Sequence, residues 1–127
     1  MHAHYLVWID HREAKIFAIG LDDADDHTIV DKGPVHHVHR KPDHVERARS
    51  LAERTFLADI ATALQPAKGI MIAGPAEART ELGDFLKDSF PEIAKHVWIN
   101  EAMDHPTDPQ LIARARSYFK SEVAMHG

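Results

Sequence analysis

The chain has 127 residues, a formal net charge of -5 and 44% apolar residues. This length predicts one domain with its own core, and the composition is that of a globular protein rather than a disordered one. The absence of cysteine excludes disulfides, thiolate catalysis and Cys-based zinc sites, and it suits a reducing compartment. The acidic balance argues against a nucleic-acid coat over the whole surface but leaves room for a local basic patch.

The N-terminal residues show no basic segment followed by an apolar core, and no apolar run approaches membrane length. We therefore expect a cytoplasmic protein that is neither exported by a signal peptide nor membrane-spanning. No linker, internal repeat or low-complexity segment interrupts the chain. The prediction is a single domain over residues 1–127, with a core from about residue 4 to residue 123.

Two β-rich apolar runs begin the chain. Tyr5–Asp10 and Ala14–Ile19 flank the polar break 11–13, which predicts an antiparallel hairpin. His27–Asp31 has the character of a third strand at the edge of the sheet. Three strands before any helix indicate a mixed rather than a purely parallel sheet.

A long amphipathic helix follows the irregular stretch 33–42. Asp43 is a suitable N-cap with Glu46 three residues later, and this pair forms a capping box. Apolar residues then recur every four positions over about five helical turns. They are Ala48, Ala52, Phe56, Ile60 and Leu64.

The run Gly69–Gly74 predicts a fully buried strand that feeds directly into a helix extending to about Phe90. We expect Gly74 to be the N-cap and Pro75 the first helical residue, where the missing N–H has no cost. Gly83 inside this helix predicts close packing. Such a strand-to-helix junction is where α/β folds usually bind ligands, but the turn lacks the repeated glycines of a phosphate-binding loop.

The C-terminal part predicts one more strand and one more helix. Val97–Asn100 is β-rich, and Thr107 with Gln110 forms a second capping box. The inner face of the terminal helix then has five apolar members, Leu111, Ile112, Ala115, Phe119 and Val123. The predicted order is βββαβαβα, which is an α/β fold with helices packed on a five-stranded mixed sheet.

This order and three motifs resemble the middle domain of archaeal and eukaryotic peptide-chain release factors and their relative pelota. The motifs are Val-Trp-Ile-Asp at 7–10, the basic-faced helix carrying Arg47 and Arg54, and Ile-Ala-Gly-Pro-Ala-Glu at 72–77. The resemblance runs from about Tyr5 to about Phe119. It implies a three-layer sandwich related to ribonuclease H folds, a connection with the ribosome or tRNA, and a free-standing bacterial version of the domain.

The sequence departs from the release factors at their catalytic loop. In those proteins a Gly-Gly-Gln tripeptide before the long helix helps water attack peptidyl-tRNA, whereas here the matching stretch 35–41 is Val-His-His-Val-His-Arg-Lys. The length also leaves no room for the flanking domains. The resemblance therefore implies a translation-associated binding module without peptide release, as in pelota, which also lacks the tripeptide.

The predicted working surface is the histidine-rich loop with the basic face of the following helix. Arginine and lysine gain from counterion release on phosphates, and histidine can stack on bases or take up a proton. From Asp31 to Arg54 there are six Lys or Arg against four acids, so the alternative is a solvated helix face with ion pairs along it. The candidate RNA-binding residues are His36, His37, His39, Arg40, Lys41, Arg47 and Arg54.

Two further functions are kept as alternatives. A small ester or phosphoester hydrolase would use the loop histidines as general bases or metal ligands, since His37 and His39 have metal-binding spacing. A protein-interaction domain without nucleic acid would suit the acidic net charge. Asp10 ends a strand where a nuclease would hold a metal, but a turn-forming Asp explains it more simply. We predict no catalytic residue, no dedicated metal site, no cofactor and no membrane partner, and the oligomeric state is open.

Overall fold

The computed structural model describes residues 3–20, 27–32 and 54–126. Five strands form the sheet, namely β1 (His4–Ile9), β2 (Ala14–Ile19), β3 (His27–Lys32), β4 (Gly69–Gly74) and β5 (Val97–Ala102). The helices are α1, described over residues 54–63, followed by α2 (Ala76–Ser89), α3 (Pro91–Ala94) and α4 (Asp108–His126). None of the helices in these ranges is long and apolar enough to cross a bilayer.

The sheet is mixed, with strand order β3-β2-β1-β4-β5. Strands β1 and β2 form the predicted antiparallel hairpin, and β3 extends it at the edge, also as predicted. On its other side β1 pairs in parallel with β4, which pairs in parallel with β5. The ends of β1, β4 and β5 therefore lie along one side of the sheet, which we call the carboxyl edge.

Alternation along β1 divides the core into two layers. Tyr5, Val7 and Ile9 pack with α1 and α2, while Leu6 and Trp8 point to the opposite face and pack with α4. All five side chains are buried. Helices on both faces of one mixed sheet make a three-layer α/β architecture, as the resemblance to release factors implied.

The predicted inner faces of α1 and α4 are confirmed where the structure describes them, except at Val123, which is only partly buried. Phe56 and Ile60 of α1, and Leu64 directly after it, are buried against the sheet. On α4 the buried residues are Leu111, Ala115 and Phe119, with Ile112 partly buried beside them. The predicted N-cap Asp43, its partner Glu46 and the first half of the stripe lie outside the described residues.

Helix α2 ends at Ser89 with Phe90 as its C-cap, which confirms the predicted end at about Phe90. Two details differ from the prediction. Pro91 starts a short helix, α3, which the sequence pattern did not predict. The N-cap of α2 is Pro75, with ψ 158°, rather than Gly74. Gly74 is instead the last residue of β4, where its missing side chain allows a close approach to β1.

Candidate functional site

Six of the seven candidate RNA-binding residues lie outside the described residues. They are His36, His37, His39, Arg40, Lys41 and Arg47. The seventh, Arg54, is exposed at the first described position of α1. Its position can therefore be compared with the carboxyl edge of the sheet.

Both flanks of the segment 33–53 reach the carboxyl edge. On the N-terminal side Lys32, the last residue of β3, pairs with Ala14, which pairs in turn with Ile9 at the end of β1. On the C-terminal side the first described turn of α1 lies against the same end of β1. Phe56 and Leu57 line a small cavity there with Ile9, Asp10, His11, Ala78 and Glu81. Arg54 precedes Phe56 by two residues on the same helix.

Asp10 builds that turn. Its Oδ1 accepts hydrogen bonds from the backbone N–H groups of Arg12 and Glu13, both at 2.8 Å, and its own N–H donates to the Glu13 carbonyl at 3.0 Å. Partial burial raises the pKa of Asp10, but the two backbone N–H groups and His105 lower it further, so the net pKa lies below its ordinary value. The predicted turn-forming role of Asp10 is confirmed, and both of these side-chain hydrogen bonds are accepted by Oδ1.

The junction between β4 and α2 lies directly beside this turn. Gly74 has φ +142°, and a Cβ at this position would lie 2.1 Å from the Ile9 carbonyl oxygen. Only glycine lets the two parallel strands end this close together. The first turn of α2 then contributes Glu77, whose Oε2 lies 3.4 Å from Nε2 of His11.

His105, which is distant in sequence, also lies at the carboxyl edge. Its Nε2 lies 3.2 Å from Oδ2 of Asp10, and its ring contacts the edge of Trp8 with centroids 5.1 Å apart. His105, His11 and Glu77 have no role in the sequence-based predictions. The position of His105 could have indicated a place at this edge, because it follows a strand and precedes the capping box of α4 by two residues.

A shallow depression lies between these groups. It is lined by Asp10, His11, Arg12, Glu13, Pro75 and His105. Three acids, Asp10, Glu13 and the nearby Glu77, are set against one permanent cation, Arg12, so this part of the edge is acidic when the histidines are neutral. Among the described residues, no three His, Asp or Glu side chains are arranged to hold a metal ion.

Solved structures with a similar architecture include translation proteins. One match is Pelota from Archaeoglobus fulgidus, with a TM-score of 0.61 and 19% identity over 96% of this chain. Another is the archaeal translation termination factor aRF1, with a TM-score of 0.57 and 12% identity over the same share. The chain has a Pelota- and aRF1-like fold.

The Pelota- and aRF1-like fold confirms the resemblance that the order of strands and the motifs predicted. The chain spans 34% of the Pelota chain and 41% of the aRF1 chain, so it corresponds to a part of each. No protein-family model matches the sequence, and no curated protein matches it either. At these identities the similarity establishes the fold.

Proposed function

We propose that this chain is a translation-associated domain that binds ribosomal or transfer RNA and does not catalyse peptide release. The observation that carries the proposal is the fold, since 96% of the chain aligns with part of a translation termination factor. On this proposal the chain is one cytoplasmic domain that corresponds to a release-factor middle domain with a ribonuclease H-like sheet.

The proposed RNA-binding surface consists of His36, His37, His39, Arg40, Lys41, Arg47 and Arg54. Two features of the described residues support it. Arg54 is exposed and lies two residues before Phe56, which lines the cavity at the end of β1. The strand that precedes the surface, β3, ends at this same edge. The surface would therefore extend from the side of the sheet where α/β folds bind their ligands.

The proposed absence of peptide release rests on the sequence at this position. No Gly-Gly-Gln tripeptide occurs anywhere in the chain. The carboxylate at the end of β1, Asp10, accepts two backbone hydrogen bonds and contacts His105, so it serves the turn. Binding without hydrolysis is the function that these residues support.

The charge balance makes the binding local and sensitive to salt. The net charge is -5, while the stretch from Asp31 to Arg54 carries an excess of two positive charges. Each phosphate that a basic side chain neutralises releases counterions and adds about one unit to the slope of affinity against salt concentration, both on logarithmic scales. Association that survives only at low to moderate ionic strength is therefore expected.

The test is sedimentation through a sucrose gradient with purified ribosomes. The wild-type chain should migrate with ribosomal particles at low salt and return to the top at moderate salt. The double substitution Arg40→Glu/Lys41→Glu should remain at the top at low salt, because it reverses two charges in the proposed surface. Arg54→Glu should weaken the association by about tenfold and reduce the salt slope by about one.

A matched control reverses two charges outside the proposed surface. Lys87 near the end of α2 and Lys120 near the end of α4 are both exposed. Lys87→Glu/Lys120→Glu changes the net charge equally, and it should sediment like the wild type. Equal behaviour of the two double variants, or a wild-type chain that stays at the top at every salt concentration, would contradict the proposal.

A further inference from the structure

The connection between β5 and α4 crosses the carboxyl edge of the sheet and is tied to each strand that it passes. We call residues 103–107 the strap. At its start the N–H of Met103 donates to the Gly74 carbonyl at the end of β4, at 2.9 Å. Next, the Trp8 indole N–H on β1 donates to the Asp104 carbonyl at 3.0 Å. Immediately after the strap, Asp108 contacts Lys15 Nζ on β2 at 2.9 Å.

His105 lies at the middle of the strap, between these ties. Its side chain is 66% exposed, whereas the Asp10 side chain that it contacts is 15% exposed. Its ring also lies against Trp8, which is buried. The contact at 3.2 Å between His105 and Asp10 therefore joins a titratable group on the strap to a fixed carboxylate on the body of the domain.

We propose that a pH-dependent contact between His105 and Asp10 holds the strap against the carboxyl edge. With His105 protonated, the imidazolium donates a charge-assisted hydrogen bond to the Asp10 carboxylate and holds the strap over Trp8. When His105 loses its proton to solvent, the bond becomes a weaker neutral one, and the strap opens more often. The inference is independent of RNA binding.

Charged groups from three elements surround His105. Asp10 and Glu13 face it from the β1–β2 turn, where Arg12 and His11 also line the shared depression. In the same segment as His105, Asp104 is the preceding residue, and Asp108 lies three residues later. Asp108 forms an ion pair with Lys15. On α2 the nearest acid, Glu77, pairs with His11. The acids around His105 therefore outnumber Arg12.

The Trp8 indole N–H reports on the strap directly because its acceptor is the Asp104 carbonyl. We would measure its hydrogen-exchange protection factor by NMR at about pH 5.5 and about pH 8, on either side of the ordinary histidine range. The protection factor should be about threefold to tenfold lower at the higher pH. The backbone amide of Ile72, in the buried strand β4, reports global unfolding and provides the reference.

Three variants separate the strap from other effects. His105→Gln cannot take a charge and should show low, pH-independent protection of the indole. Asp10→Asn keeps the turn acceptor but removes the negative charge, so it should also lose the pH response. His11→Gln is the matched control, since His11 lines the same depression but pairs with Glu77, and it should respond like the wild type.

The proposal is overturned if the wild-type protection factor, corrected by the Ile72 reference, is the same at both pH values. It is equally overturned if His105→Gln keeps the full response. A ribosome-binding result of either sign leaves this test unaffected, so failure of the strap and failure of the proposed function can be told apart.

Discussion

At the scale of single residues, two histidines at opposite ends of β1 have opposite environments. His105 at the carboxyl edge is exposed and faces a carboxylate. His4, at the start of β1, packs between Phe119 and Trp98, with ring centroids 5.0 and 5.5 Å away. Burial lowers the pKa of His4, and Lys68 lowers it further. The fold therefore favours the neutral form of His4.

This environment predicts an acid-sensitive contribution to stability. The folded-state pKa of His4 is below its unfolded value of 6.5, so the unfolded chain takes up the proton first as the pH falls. Above the unfolded-state pKa, neutral His4 makes its full contribution to the free energy of unfolding. This contribution decreases as the pH falls from the unfolded-state pKa toward the folded-state pKa. His4→Phe should reduce this loss, as measured by urea unfolding between about pH 7 and about pH 5.

The comparison between wild type and His4→Phe isolates one histidine among eleven. The two free energies of unfolding should diverge toward acid pH, with the variant less affected. Parallel curves at every pH would show that protonation of His4 has the same cost in the folded and unfolded chain.

At the scale of elements, the junction between β4 and α2 depends on backbone geometry more than on side chains. Gly74 combines φ +142° with a close approach to the Ile9 carbonyl. Gly83, on the inner side of α2, has milder surroundings, because a Cβ there would lie 3.1 Å from the Asn100 side-chain amide. The close packing that the sequence predicted at Gly83 is confirmed.

Gly74→Ala should be severely destabilising. It adds backbone strain and a clash with a fixed carbonyl, which together cost about 3 kcal/mol or more in the free energy of unfolding. Gly83→Ala should lie within about 1 kcal/mol of the wild type, because a gain in helix propensity offsets a small shift of Asn100. Urea titrations of both variants make the comparison, and a small loss for Gly74→Ala would contradict it.

The N-terminus of α4 is held by the capping box that the sequence predicted. The Thr107 N–H donates to Gln110 Oε1 at 2.9 Å, and the Gln110 N–H donates to Thr107 Oγ1 at 3.3 Å. Together these bonds satisfy two backbone donors at the end of the strap.

Thr107→Ala should lower the free energy of unfolding by about 1 kcal/mol and the Tm by about 4 °C, because it leaves a helix N–H without its acceptor. Thr80→Ala is the matched control. Thr80 lies inside α2, where its hydroxyl donates to the Ala76 carbonyl, so its replacement should leave the Tm unchanged or slightly higher. Thermal melts followed by circular dichroism would decide, and equal shifts for the two variants would count against the cap.

At the scale of the whole molecule, the carboxyl edge brings together segments that are far apart in sequence. The β1–β2 turn, the start of α2, the first described turn of α1 and the strap all meet there. The described part of this edge is rich in acids. The basic residues of the proposed RNA-binding surface belong to the segment that leaves and rejoins the same edge. The proposed binding therefore depends on that segment and on Arg54.

The sequence by itself determined the features that follow from local pattern. Runs of β-rich apolar residues predicted the strands. Four-residue spacing predicted the buried faces of α1 and α4, and the Thr107–Gln110 pair predicted the start of α4. The Asp10 turn was also predictable, because its hydrogen bonds join neighbouring residues. The resemblance to release factors came from these elements and their order.

Only the tertiary structure decided which distant groups share the carboxyl edge. Asp10 and His105 are 95 positions apart, and Trp8 and Asp104 are 96 positions apart, so no local periodicity connects them. They meet because β1 and β5 run parallel on either side of β4, which places the end of β1 beside the strap. Gly74 in β4 permits that approach, since a side chain there would collide with the last residue of β1.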